Sequence, residues 1–444
     1  MSDKRFEVVL REAASARGSE VELYTVHSRT RKYEARENRL DAISFSDTLV
    51  LGLRLFLDGR MGFSYGFTGD EADLARMVEE AKFCAASSDP DEAYGLPDID
   101  SPPPGVSLYD PAAQSVTEDE KRDFTQSLEA FALARDPRVK RVRTASLQET
   151  VSETTLLNSK GASLRGKDSR YFAFVDAVAE SGAEGQTGYG FGFARAMRGL
   201  DAREIAKEGA DRALRMFGAV RPKTGEYRLV LENGAAADLL DVLAPSFLAP
   251  QVAKGKSMLS DKLEKHVAST AVSVVDDPLD PEGAGAEVFD GEGVTCRERE
   301  LISGGVLRGY LSDVFWGRKI GMGSTGSCRR MGAKAPPSVG ASNLRVSPGR
   351  LSMDELIAAA GDGILLTEFM GIHTADPVSG DFSVGASGIR IEGGKLGGPL
   401  QGFAVSGNIL NLLKEVESAG CDFRWFGGVG APSLLAARIT VGGD

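Results

Sequence analysis

The sequence predicts an α+β protein in two parts. An N-terminal half mixes helices with antiparallel sheet, and a C-terminal half is rich in strands and glycine. Three observations carry this. Helical periodicity alternates with period-two runs through the first half. Short strand-like runs parted by glycine turns fill most of the second. Glycine is 53 of 444 residues without a G-X-Y period, which reads as tight turns and close backbone approaches rather than collagen. At about 150 residues per domain, two or three domains are expected.

Taken in order, residues 5–17 (RFEVVLREAASAR) read as a helix stopped by Gly18. Strand-like runs follow: VELYTVHS, TRKYEARE, DTLVLGLRLFLDG and RMGFSYGF, with Asp58 and Gly59 as a hairpin signal between the last two. Residues 70–88 return to helical spacing. Residues 89–116 carry Pro90, Pro97, Pro102, Pro103, Pro104 and Pro111, an extended connector. Thr117 and Glu120 form a T-x-x-E capping box that opens a helix. Strand runs are predicted near 139–147, 149–157, 162–168, 170–179 and 188–195. Asp201 and Glu204 open the next helix, and Gly218 ends it. RPKTG at 221–225 marks a border, which divides the chain into 1–220 and 221–444. Beyond it come a strand (YRLVLE), an apolar helix (AAADLLDVLAPSF) that Pro245 ends or kinks, a helix capped by Ser352 and Glu355, and a helix at 407–419.

Composition excludes several functions. With 52 Lys plus Arg against 64 Asp plus Glu, the net charge is −12, unsuited to direct nucleic-acid binding. No apolar run approaches the ~18 residues that cross a bilayer, and MSDKRFEVVLREA lacks a signal-peptide core, so a cytoplasmic protein without membrane contact is expected. Four Cys lie far apart and three His (His27, His266, His373) form no local metal motif.

The motifs are sparse. GYGFGFARAM (188–197) and GMGSTG (321–326) meet neither the dinucleotide fingerprint nor the phosphate-loop pattern, and strand and turn geometry accounts for them. G-x-S-x-G is absent. His373, in GIHTADPVSGDFS beside Asp376 and Asp381, is the best candidate base, although a satisfied loop histidine is the plainer reading. Acidic clusters at 274–280, 289–293 and 376–383 fit turn capping better than a cation loop.

Six ordered blocks carry a family resemblance: TGEYRLVLENGAAADLL, VAKGKSMLSDKLEKHVAS, VVDDPLDPEGAGAEVFDGEGV, GVLRGYLSDVFWGRKIGMGSTG, LLTEFMGIHTADPVSGDFSVGASGIRIEGGKL and PSLLAARITVGGD. They make the chain similar to the TldD/PmbA family over nearly its whole second half. One branch of that family carries H-E-x-x-x-H on the helix after the border strand and a later Cys, a zinc set with a Glu to activate water. Here those positions fall near Asp241, Val242 and Ser246, and Cys421 lies in the region of the Cys. The resemblance therefore implies the other, PmbA/TldE-type subunit, with no catalytic or metal residues of its own and no cofactor in this chain; zinc is expected in a TldD-type partner.

It also implies a heterodimeric metalloprotease that admits unfolded peptides to an enclosed cleft, processes modified peptide precursors and degrades an antitoxin. The family's older label, modulator of DNA gyrase, gains no support for DNA contact from the charge. Peptide would add to a strand edge, with the glycine-rich segments 371–394 and 321–326 permitting close approach and Ser379, Gly380, Asp381 and His373 near the cleft. Two rivals remain: a homodimeric peptide-binding or regulatory protein, and a metal-independent hydrolase using His373 with Ser379 or a nearby acid.

Overall fold

A computed structural model describes residues 4–13, 18–99 and 105–443. The first half is built twice from the same pattern. Helix α1 (Lys4–Ala13), strands β1 (Glu20–Arg36), β2 (Arg39–Leu57) and β3 (Arg60–Gly66) and helix α2 (Glu71–Ser87) form one unit. Helix α3 (Glu118–Ala134), strands β4 (Val139–Asn158), β5 (Ser163–Ser181) and β6 (Glu184–Ala194) and helix α4 (Ala202–Leu214) form the other. The two meet through an antiparallel β1–β4 pair, giving one six-stranded sheet ordered β3-β2-β1-β4-β5-β6. Val21 and Leu23 pack under α1 and α2, whereas Tyr33 and Ala35 pack under α3 and α4. All four share parity on β1, so both helix pairs cover one face and leave the other to the second half of the chain.

Local signals act as anticipated where they are local. Thr117 and Glu120 complete both halves of a capping box, as do Ser352 and Glu355. The Asp201 carboxylate accepts from the Arg203 and Glu204 amides. Asp58 and Gly59, both at positive φ, turn β2 into β3. Other expectations need correction. The paired runs 20–36, 139–158 and 163–181 are each one continuous strand. Their polar middles stay extended because cross-strand partners such as Ser28 with Ser152 (2.8 Å) and Thr30 with Thr150 (3.2 Å) satisfy them. Helix α1 ends at Ala13 within the described residues; 14–17, like Pro102, Pro103 and Pro104, lie outside them. The helix expected at 407–419 spans only Ile409–Lys414, because Val416–Ala419 pairs as a strand.

The second half contains a sheet of strands β7 (Gly225–Leu231), β8 (Gly363–Met370), β9 (Asp381–Glu392), β10 (Lys395–Asn408), β11 (Val416–Ala419) and β12 (Leu434–Gly442). Its order is β10-β9-β8-β7-β12-β11, and an added β10–β12 pairing closes most of it on itself. A second six-stranded sheet of short strands, drawn from residues 274–431, packs beside it. Helix α5 (Asn233–Leu243) follows β7 and buries Ala235, Ala236, Leu239, Leu240 and Leu243 in the main core. Pro245 then directs the chain into a 3-10 turn at Ala244–Phe247.

A buried ion network joins the halves. Arg54 on β2 donates to both oxygens of Glu22 on β1 (2.9 and 2.7 Å) and, through Nη1, to Glu292 (2.8 Å). Arg330 also pairs with Glu22 and lies over the Tyr24 ring at 4.2 Å. The second Glu292 oxygen accepts the Val314 amide at 2.9 Å. Glu22 is 0% exposed; burial alone would raise its pKa, but the two guanidinium groups hold it below the usual range. Removing one cation strands a buried carboxylate. Arg54→Ala should therefore destabilise the chain by about 3–5 kcal/mol, seen as a lower urea midpoint; an unchanged midpoint would show that the network contributes nothing.

Candidate functional site

A cleft of about 420 Å³ lies between the halves. One wall is β6. Its sequence GYGFGF alternates, and the strand sends glycines one way and aromatics the other. A Cβ on Gly190 would lie 2.0 Å from the Ile205 carbonyl, and one on Gly188 would lie 2.4 Å from that of Gly209, so only glycine lets α4 rest on the strand. Tyr189 and Phe191 on the other face extend a row of rings: Phe174 stacks on Tyr189 at 6.2 Å, Phe172 on Phe191 at 6.2 Å, and Phe426 meets Phe191 at 5.7 Å. Tyr189 and Phe172 remain 43% and 41% exposed, open to a partner.

Helix α5 forms the floor. Its apolar face is in the core, so Gly234 and Asp238 line the cleft and Asp241 is exposed one turn on. The third wall is β8, where a bulge after Leu366 shifts the register and Glu368 lines the cleft. Every cleft arginine is already matched. Arg143 is bidentate to Asp176 (2.8 and 3.1 Å), Arg215 to Glu232 (2.8 and 2.8 Å), and Arg212 holds Glu208 at 2.9 Å. Asp238, Asp241 and Glu368 have no cationic partner among the described residues. Asp238 keeps contact with solvent, yet the walls crowd it; lost hydration, then Asp241 and Glu368, push its pKa up to about 6.

The outer edge of β6 is partly blunted. Arg212 donates to the Tyr189 carbonyl (3.2 Å) and Arg424 to that of Phe191 (2.9 Å). Arg424 also pairs with Glu208 and sits 4.4 Å over the Phe191 ring. The glycine-rich β9 offers no open edge over most of its length, because β8 and β10 flank it. GMGSTG is a turn packed on the helix Val314–Lys319, with Thr325 bonded to Ser312.

The residues singled out from sequence lie elsewhere. Ser379, Gly380 and Asp381 form a turn in which Asp376 accepts the Val378 and Ser379 amides (2.7 and 2.9 Å), and Asn408 donates to Ser379 O and Asp381 Oδ1 (2.8 and 2.8 Å). His373 occupies the 3-10 turn Ile372–Thr374 and makes no hydrogen bond to a described residue, so it is not joined to Ser379 or to a carboxylate. None of the four lines the cleft, which reaches Met370 on the same chain segment. Period-two glycine and aromatic spacing in GYGFGF was the signal for β6; nothing local marked Glu368.

The zinc set implied by family resemblance does not fit these residues. Asp241 is exposed, Val242 half-buried and Ser246 1% exposed with an unpartnered hydroxyl. Among the described residues, no three His, Cys, Asp or Glu converge to hold a metal ion. Among them too, no helix is long and apolar enough to cross a membrane.

Three family models match, described as PmbA/TldA metallopeptidase domain 1 (residues 21–85), central domain (111–217) and C-terminal domain (224–443). A relative named metalloprotease, from Methanothermobacter thermautotrophicus, is 28% identical over 430 residues, covering 94% of this chain and 90% of its own. Metalloprotease PmbA of Escherichia coli O157:H7 is 24% identical over 439 residues, 98% of this chain and 94% of that one. A Thermotoga maritima structure, solved as that of a candidate modulator of a DNA gyrase, superposes with a TM-score of 0.91 at 26% identity, covering 99% of each chain. TldE from Thermococcus kodakarensis shares the fold, with a TM-score of 0.91 at 22% identity over 99% of this chain and 100% of that one.

The crowding of Asp238 has a direct readout. Its carboxyl should titrate near 6 by carbon-detected NMR, and Glu368→Gln should move that midpoint down; a wild-type midpoint near the ordinary ~4 would contradict the cleft electrostatics.

Proposed function

We propose that this chain, which belongs to the PmbA/TldD metallopeptidase family, is the peptide-holding and non-hydrolytic subunit of a two-chain metalloprotease. The single observation that carries the reading is the donor set on α5. The helix that would carry a zinc site presents Asp238 and Asp241 beside Val242, and the 3-10 turn after it buries Ser246, with no imidazole in either. The cleft nevertheless has the parts of a binding site. A row of half-exposed rings suits the apolar side chains that an unfolded peptide presents. Backbone carbonyls and unmatched acids give the polar remainder. An extended, unfolded peptide is the substrate class, and a TldD-type subunit supplies the zinc and the activated water.

Within the cleft, this chain orients peptide and does not break it. Asp238 and Glu368 favour a lysine, an arginine or a free N-terminus, because Arg143, Arg212 and Arg215 already spend their charge on other carboxylates. His373, Ser379, Gly380 and Asp381, just beyond Met370, would meet peptide only past the mouth. A homodimeric peptide-binding protein is the second reading, favoured by residues 42–50 of β2, which pair with β1 on one side and lie beyond the reach of β3 on the other.

Two measurements test this. Co-purified with a zinc-bearing family member from the same source, the chain should form a stable complex that cleaves unfolded peptides. Alone it should carry no stoichiometric zinc and leave casein intact, and the reverse result would overturn the assignment. Lys- or Arg-containing peptides should bind the chain more weakly as pH falls through about 6, as Asp238 takes up its proton. Asp241, Glu368, Arg212 and Arg215 face the same space, so Asp238→Asn should flatten that dependence; a profile unchanged by the substitution would place the cationic contact elsewhere.

A further inference from the structure

The row of rings along β6 has two differently charged ends. Acids gather at Tyr189: burial, and then Glu368 and Asp238 against the pull of Arg212, raise the pKa of its hydroxyl. Farther along the strand, about 20 Å away at about 3.3 Å per residue, the row ends on arginines. Phe193 pairs with Phe172 across the ladder, and the Arg195 guanidinium lies 5.2 Å over the Phe193 ring. Arg170 shares the face of Phe172 on β5. Burial and then the charge of Arg170 push the Arg195 pKa down to about 10. Asp168 pairs with Arg170 at 2.8 Å, and the next acid, Glu287, is held by Arg329 at 2.8 Å. Arg195 has no carboxylate partner among the described residues and donates to the Pro281 and Gly283 carbonyls (3.1 and 2.9 Å). Arg195 Nη1, Arg170 Nε and Asp168 Oδ1 are buried without a hydrogen-bond partner. Two guanidinium groups against one carboxylate leave a positive surplus at this end.

We infer that Arg170 and Arg195 hold the C-terminal carboxylate of a short peptide whose N-terminal end lies at Asp238 and Glu368. The two ends of the row complement the two ends of a free peptide, ammonium at the acids and carboxylate at the arginines. The space between them accommodates about six residues of extended chain, with apolar side chains on the rings. The Arg195 bonds to Pro281 and Gly283 join the sheet to the second half at this point, so a chain arriving along the rings ends here. Arg170, with 43% of its side chain exposed, meets the carboxylate, and the more enclosed Arg195 adds its charge behind. The inference rests on the peptide-holding reading and adds which end of the substrate sits where. A carboxylate anchor selects short peptides and cleaved fragments over the interior of a long chain.

The test is calorimetric titration of the full chain with a seven-residue peptide that starts with lysine and continues in alternating leucine and alanine. The free acid should bind at least about ten-fold more tightly than the same peptide with an amidated C-terminus. Arg170→Gln should bring the two affinities together by weakening the acid and leaving the amide unchanged. Arg195→Met should do the same; because Arg195 also ties the halves together, Arg170→Gln is the variant that decides. Three outcomes overturn the inference alone: equal affinity for acid and amide, a preference for the acid that survives Arg170→Gln, or an amidated peptide ending in glutamate that binds as well as the free acid, which would assign the site to acidic side chains. Failure of acid and amide alike to bind would overturn the peptide-holding reading as well, so the two are told apart.

Discussion

Two carboxylates and two guanidinium groups, buried together between the halves, set the geometry on which everything else rests. Glu22 and Arg54 belong to adjacent strands of one sheet; Glu292 and Arg330 come from loops of the other half. Such a cluster adds little net stability, since desolvation offsets most of the attraction. What it does supply is register. A shift of the halves by one residue would leave a charge without its partner, at a cost of several kcal/mol. The same register decides how β6 faces β8 across the cleft.

The cleft itself follows from a conflict of size. Helix α4 must approach β6 closely enough that only glycine fits at 188 and 190, and the bulk displaced from that face reappears on the other as Tyr189, Phe191 and Phe193. Packing on one side therefore produces a ring-lined surface on the opposite side. Arg424 then ties β6 to the second half through Glu208, the Phe191 carbonyl and two aromatic rings, 4.4 and 5.3 Å away.

Legibility in the sequence tracked the distance between partners. Thr117 reaches Glu120 and Ser352 reaches Glu355 within one turn, so both helix starts could be read directly. The hairpin at Glu37 and Asn38 could not. Neither residue is glycine, both have positive φ, and their amides are held by Glu129, more than 90 residues away, at 3.0 and 2.9 Å. The same holds for the β1–β4 pair, which sets Glu22 beside Asn158, and for Arg54 with Glu292. In the candidate site the missing imidazoles on α5 were visible in one dimension. Asp238 and Glu368 were not, because a bulge and a helix phase decide where they sit. At Ser379 the sequence does not separate a turn from a site, because glycine, serine and aspartate serve both.

The charge pattern of the cleft bears on which half of a reaction this chain can perform. Peptide hydrolysis needs an activated water and a donor aimed at the developing oxyanion. Asp238, near neutral in its affinity for protons, has the basicity to accept one from water. An oxyanion is stabilised by uncommitted donors, neutral or cationic, and the cleft's three arginines, Arg143, Arg212 and Arg215, are each committed to a carboxylate. Freeing one would strand Asp176, Glu208 or Glu232. Unmatched acids beside arginines that are already paired favour a cationic ligand over an anionic one. On the proposed two-subunit reading, the Lewis acid is the partner's, and the exposed rings and unmatched acids of this chain hold the peptide towards it.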